Sequence, residues 1–214
     1  MSSEQFFRTI YEDKDIVVID KEHGVHVIED RYDKNLPTIR GMLNSIYGKV
    51  FIVHRLDSGT GGLLVVAKNE NSHRALSLQF EEGLVRKRYY ALVVGKFSYP
   101  LTCMLPISKV NYHGRYKINF KSGRRAITSF YPIKIYDNKT LLDVVPLTGR
   151  SHQIRVHLKA LKHPLMNDFL YNVKTDDKRL TLQAYELIFN HPTRNEEMVF
   201  RVDISGYMKD WLSS

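Results

Sequence analysis

The sequence predicts an α+β fold with a mixed, mainly antiparallel β-sheet flanked by helices and loops. Roughly nine short apolar or alternating runs lie mostly next to one another along the chain, divided by turn-forming segments such as "KSGRR" and "DNK". Three or four stretches carry helical spacing, and neither a repeat nor a low-complexity tract nor an obvious linker interrupts the order. At 214 residues and 43% hydrophobic the chain can bury a sizeable core, a length that suits one large domain or two small ones.

Taken in order, "DIVVID" (15–20) and "GVHVI" (24–28) read as buried strands, and "LPTIRGMLNSIYG" as a helix opened by Pro37 and closed by Gly48. "LLVVAK" is an apolar strand. "NENSHRALSLQFEEG" offers Asn69 or Asn71 as a cap, apolar Ala75, Leu76, Leu78 and Phe80, and Gly83 as a stop, which makes an amphipathic helix. "LVRKRYYALVVG" (84–95) alternates basic and aromatic residues before turning apolar, as a strand does with one exposed and one buried end. "RYKINF", "AITSFYPIKIY" and "TLLDVVPL" follow as strands, with the basic stretch 109–125 as a loop or hairpin. "SHQIRVHLKALK" sets Ile154, Leu158 and Leu161 on one helical stripe. "RLTLQAYELIF" and "EEMVFRVDI" read as a hairpin, and "GYMKDWL" as a short closing helix.

Charge narrows the function classes. Thirty-two Lys and Arg against 23 Asp and Glu give +9, with the basic residues spread through the chain, which favours an anionic partner, nucleic acid before a membrane surface. Cys103 is the single cysteine, so neither a disulfide framework nor a Cys-based zinc site is available and a reducing cytoplasm is the expected compartment. The N-terminus meets charge too early for a secretory signal, and no apolar run reaches the ~18 residues of a membrane span.

Three constellations carry chemistry. In "FIVHRLDSGTGGLLVVAK" (51–68), His54, Arg55 and Asp57 stand between apolar runs and precede three glycines in four residues. A phosphate loop wants a Lys-Ser/Thr ending that opens a helix, whereas here a strand follows. In "TGRSHQIRVHLKALKHP" (148–164), basic residues crowd one helix start; His152 and His157 are five apart where a helical zinc pair needs four, so Arg150 and Arg155 as anion ligands, or a solvated basic face, fit better than a metal. In "RKRYYALVV", cations interleave with Tyr89 and Tyr90, a pattern of ordinary core strands and equally of single-stranded RNA binding. A Ser hydrolase lacks its G-x-S-x-G elbow, and Ser151 directly beside His152 is poorly placed for a nucleophile and its base.

Together these segments resemble the RluA family of pseudouridine synthases. "HRLDSGTGGLLVVAK" is similar to that family's H-R-L-D-x-x-T-S-G-L-L-L-x-A-K signature, "VRKRYYALVVG" to V-x-K-x-Y-x-A-x-V-x-G, and "PLTGRSHQIRVHLKALKHPLMNDFLY" to its long Arg- and His-containing motif. "YEDKDIVVIDKEHGVHV" and "RLTLQAYELIFNHP" resemble the opening and closing segments, so the resemblance spans about residues 10–205. Departures are Glu22 where the family has Pro, Gly61 where it has Ser, Lys162 and Asn167 where it has Gly, and Asn172 where Gly often follows Tyr.

The resemblance implies a single pseudouridine-synthase-like catalytic domain over 1–214, in a compact form that begins directly at that domain. It implies isomerisation of uridine in structured RNA, ribosomal RNA or tRNA, with no cofactor and no metal, since no atoms are gained. Asp57 is then the catalytic carboxylate, acting on ribose or base. Arg155 is its ionic partner, with Arg150 as the alternative, and Tyr89 stacks on the target base. His54 and Arg55 support extrusion of the nucleotide, and Lys87, Arg88, Arg150, His152 and the 109–125 loop contact the RNA. RNA is the only partner expected: no membrane and no obligate protein partner, with a monomer as the default. A non-catalytic RNA-binding or ribosome-assembly protein on the same fold is the competing reading.

Overall fold

The computed structural model describes residues 6–30, 33–110, 114–173 and 175–213. In chain order the elements are β1 (Phe7–Glu12), β2 (Ile16–Lys21), α1 (Ile39–Tyr47), β3 (Phe51–Ile52), β4 (Gly61–Ala67), α2 (Glu70–Glu81), β5 (Arg86–Val94) and β6 (Leu101–Cys103). They continue with β7 (Ile107–Lys109), β8 (Tyr116–Ile118), β9 (Thr128–Ile135), β10 (Lys139–Pro146), α3 (Gln153–Ala160), β11 (Leu182–Asn190), β12 (Glu197–Arg201) and α4 (Gly206–Ser213). The chain packs as two compact units, residues 1–86 with 184–203, and residues 87–183 with 204–214. The ladders described below are antiparallel, with one isolated parallel bridge, His26 to Thr38.

In the first unit β2 pairs with β1 on one side and β4 on the other, in a register that sets Ile16 opposite Ala67 and Lys21 opposite Gly62. β2 reads "IVVIDK" and is buried along nearly its whole length, as a central strand should be. β11, from Ala184 on, forms the expected hairpin with β12, Asn190 facing Glu197. Ile16, Val18, Leu63, Val65, Leu76, Leu187 and Phe189 make the core. α2 starts at the Asn69 cap, whose side chain accepts from Ser72 N at 2.9 Å.

Two sequence expectations change here. Helix α1 begins at Ile39 with Thr38 as its cap, Oγ1 accepting from Gly41 N at 3.0 Å, so Pro37 lies before the helix rather than opening it. Residues 24–28 form no strand. Their carbonyls serve elsewhere: His26 O and Val27 O accept from Ile39 N and Arg40 N, satisfying first-turn donors that a helix cannot satisfy itself, and Val25 O accepts from Lys21.

In the second unit β10 pairs with β5 and β9, and β9 with β6. Alternation along β5 sends Ala91 and Val93 into a core with Phe130, Leu142 and Val144, while Leu92 meets Leu141 and Met208 of α4 on the other face. Ile154 and Leu158 of α3 close the first of these cores and Leu161 packs at its edge, as the stripe predicts. β7 and β8 pair as a small separate hairpin whose Ile107 packs with Ala126, Val156 and Tyr171. This places a hairpin in the 109–125 stretch; residues 111–113 of it lie outside the described residues.

Candidate active site

Asp57 sits in the link from β3 to β4, and the end of β2 grips the residues around it. Thr60 N donates to Asp57 O at 3.0 Å, and Gly24 N donates to Ser58 O at 2.9 Å. Lys21, 1% exposed, donates through Nζ to Glu22 O, Val25 O and Ser58 O at 2.9, 2.8 and 3.1 Å. His23 Nδ1 meets Gly59 O at 3.1 Å and therefore carries its proton there. Burial pushes the Lys21 ammonium down to about 7, while Asp57 is the strongest of the acidic neighbours holding it up, ahead of Glu22 and Asp20. Asp57 thus belongs to a backbone fixed at successive residues and has a buried cation in its field.

The glycines of this stretch are used by the protein itself. A Cβ on Gly61 would meet His23 Cδ2 and Nε2, each at 2.4 Å. Gly62 has φ +107, and a Cβ there would lie 2.1 Å from Ala184 O, so β4 begins flush against the β11 backbone. The glycine at 61, where the resembling family has Ser, is thereby explained: this chain fills the space with an imidazole.

The flanking residues divide. His54 Nε2 accepts from Val65 N at 3.2 Å, which puts its proton on Nδ1, and its ring stacks on Phe80 of α2 at 4.5 Å between centroids. That is an anchoring role the motif did not reveal. Arg55 is exposed.

In the second unit Tyr89 lies opposite Val144 in the β5–β10 ladder, on the same face of β5 as Lys87 and Ala91, and packs half-buried against the core. Burial pushes the Lys87 ammonium down. Arg88, on the other face, forks onto the carboxylate of Asp143 through Nε and Nη2. Arg155, 2% exposed, is held by Asp168 through Nε and Nη2, each at 2.9 Å, with its guanidinium 5.3 and 5.1 Å from the Phe169 and Tyr171 ring centres. Asp168 Oδ1 also accepts from Leu170 N and Tyr171 N. A buried bidentate pair of this kind fixes the orientation of the guanidinium. Asp168, in "MNDFLY", is a residue the sequence reading left unassigned although it stands in a matched motif.

The "TGRSHQIR" segment is locked by Gln153, whose Oε1 accepts from Thr148 Oγ1 and Arg150 N and whose Nε2 donates to Ile127 O and Thr128 Oγ1. His152 caps α3 in a left-handed conformation, φ 54, with Nδ1 2.9 Å from the Tyr171 hydroxyl. That hydroxyl also accepts from Tyr116 N at 2.9 Å. Arg150 donates through Nε to Arg125 O; burial and the Arg124 charge both push its pKa down.

Asp13, Asp15 and His191 bring ligand atoms within 4.8 Å of one another. Their oxygens are engaged: Asp13 accepts from Tyr11 Oη, His191 Nε2 and the amides of Asp15 and Ile16, and Asp15 accepts from Asn69 and Thr193. The cluster ties the 190s turn to the start of β2.

A mixed, mainly antiparallel α+β fold bearing the H-R-L-D and G-R-S-H-Q-I-R segments defines the class of RNA pseudouridine synthases. The chain belongs to the RNA pseudouridylate synthase family, whose pattern it matches over residues 15–160. It is 36% identical over 194 residues to the dual-specificity RNA pseudouridine synthase RluA of Vibrio cholerae, covering 86% of this chain and 77% of that protein. It is 32% identical over 205 residues to the RluA enzyme of Yersinia pestis, covering 91% and 97% of the two chains. The solved structure of human RNA pseudouridylate synthase domain containing 1 superposes with a TM-score of 0.80 at 26% identity, covering 95% of this chain and 86% of that one. That of human RNA pseudouridylate synthase domain containing 4, at TM-score 0.76 and 21% identity, shares the fold. The protein is therefore an RNA pseudouridine synthase. No helix among the described residues is long and apolar enough to cross a membrane.

Proposed function

We propose that the protein converts specific uridines of structured RNA, ribosomal RNA or tRNA, to pseudouridine with Asp57 as the catalytic carboxylate. The observation that carries this is the clamped loop: Lys21, His23 and Gly24 fix the carbonyls of Ser58 and Gly59, directly after an Asp that stands at the motif's catalytic position. A carboxylate that attacks ribose or base, or removes a ribose proton, needs such fixed placement more than it needs flexibility.

In this reading Arg155 pairs with Asp57 and favours its ionised form. Asp168 holds the guanidinium at the required orientation. Tyr89 stacks on the displaced base. Arg55 takes the place of the extruded nucleotide with His54 as its anchored neighbour, and Lys87, Arg88, Arg150 and His152 meet the RNA strand. The reaction gains no atoms, so it needs no cofactor or metal. The family match runs from one unit into the other, which supports treating residues 1–214 as one catalytic domain. The enzyme works as a monomer in the cytoplasm without an obligate protein partner.

Release of tritium from RNA labelled at uridine C5 tests the reading. Wild type should release it, and Asp57→Asn should lose turnover by at least about 10³ while binding the same RNA. Binding without release in the wild type would favour the non-catalytic RNA-binding alternative, and turnover retained in Asp57→Asn would remove Asp57 from the mechanism.

A further inference from the structure

The second unit carries a cleft of about 390 Å³ between the β8 strand and the outer face of α3. Its apolar lining includes Tyr116, Ile118, Val156, Ala160, Leu170 and Tyr171, and among the described residues three cations, Arg115, Lys117 and Lys159, are the only charged residues on it. Arg115, Lys117 and Lys159 are exposed, and Lys159 Nζ stands 5.7 Å from the Tyr171 ring centre.

Three cations and no carboxylate among the described lining residues do not suit a cationic ligand, and the apolar walls do not suit a strongly polar one. The volume lies at the small end of the ~300–1,000 Å³ range in which single small ligands are held. A nucleotide combines the two demands the cleft makes, a flat, largely apolar base and an anionic phosphate on each side of it. The tyrosines are pre-positioned: Tyr171 Oη accepts from Tyr116 N, and the Tyr116 ring meets His152 edge-on at 5.1 Å, so neither ring must be ordered by the ligand.

We propose that this cleft is a nucleotide-binding subsite of the enzyme, taking one base of the RNA strand against Tyr116 and Tyr171 while Arg115, Lys117 and Lys159 hold the adjoining phosphates. The proposal rests on the RNA-modifying reading above and adds to it a site built from residues outside the catalytic set. It gives the β7–β8 hairpin a function in RNA capture, with base stacking supplying grip and the cations supplying salt-dependent attraction.

The test uses the full chain and decauridylate, once fluorescein-labelled for affinity and once carrying 4-thiouridine for cross-linking. Illumination of the wild type should yield cross-links in the peptides that contain Tyr116 or Tyr171. Ala160→Trp, on an exposed helix position, should fill the cleft and weaken binding by about tenfold or more; circular dichroism confirms its fold. Replacing both Arg115 and Lys159 by Ala should shallow the slope of log affinity against log salt by about 1.4, since each phosphate contact on a single strand contributes ~0.7, whereas Lys159→Arg should retain the wild-type slope. Cross-links confined to other peptides, or wild-type affinity in a folded Ala160→Trp protein, overturns the subsite. So does an unchanged slope in the double variant. Tritium release by the wild type separates the two readings: turnover together with wild-type affinity in Ala160→Trp removes the subsite alone, and absence of turnover removes the catalytic reading.

Discussion

The His23 imidazole occupies the space that a Cβ on Gly61 would need, with Cδ2 and Nε2 each 2.4 Å from that position. His23 is also bonded to Gly59 O, so the two residues together set how the β2 end lies on the loop after Asp57. Introducing the family's serine, Gly61→Ser, forces the ring out and breaks this bond. It should cost about 1–3 kcal/mol of stability and at least about tenfold in turnover. His23→Ala combined with Gly61→Ser should recover much of the loss, because the smaller residue makes room. Losses that simply add in the double variant, read by thermal unfolding and tritium release, would contradict the steric account.

Tyr89 packs on the core through its ring, so Tyr89→Phe should keep stability and most RNA affinity. Tyr89→Ala should weaken substrate binding or turnover by about 1–3 kcal/mol if base stacking is its main work. Equal behaviour of the two variants in steady-state kinetics would remove the stacking role.

Lys21 links stability to pH. Its ammonium titrates at 10.5 in an unfolded chain and is pushed to about 7 by burial in the fold. Between those values the unfolded chain holds more protons, so the Lys21 contribution makes the fold more stable as pH rises from about 7 toward 10. Lys21→Met removes that rise and strips a donor from Glu22 O, Val25 O and Ser58 O. In urea unfolding, the stability of wild type relative to Lys21→Met should therefore grow with pH across this window. A constant difference would show that Lys21 does not titrate there.

Lys162 lies just past the Leu161 cap of α3 with φ 63, a left-handed conformation that favours glycine, and the resembling family has Gly at this place. Lys162→Gly should stabilise the protein by about 0.5–1 kcal/mol. A lowered melting temperature would show that the lysine makes compensating contacts.

Two further departures, Asn167 and Asn172, have local partners. Asn167 Nδ2 donates to Arg179 O and to the Tyr207 hydroxyl, and Asn172 Nδ2 donates to Leu165 O. Each asparagine supplies a bond that glycine has no side chain to make.

What the sequence by itself determined are the features written in local periodicity and local chemistry. The apolar run of β2, a cap at Asn69 or Asn71, the Ile154–Leu158–Leu161 stripe and the β11–β12 hairpin were legible because each is encoded within about twenty residues, and the motifs around Asp57, Tyr89 and Arg155 pointed to the enzyme class. β1, the two-residue β3 and the three-residue strands β6 and β7 were missed, the short ones because two or three residues cannot show a period. Residues 24–28 look like a strand by composition, but their carbonyls are claimed by α1 and by the Lys21 ammonium, and only the fold brings those donors near. The same holds for the site. Nothing within "DKEHG" or "SGTGG" says that Lys21 caps the Ser58 carbonyl or that His23 fills the place of a serine side chain at position 61. Those relationships join residues more than 30 positions apart, and sterics and hydrogen bonding act between them only once β2 and β4 lie side by side.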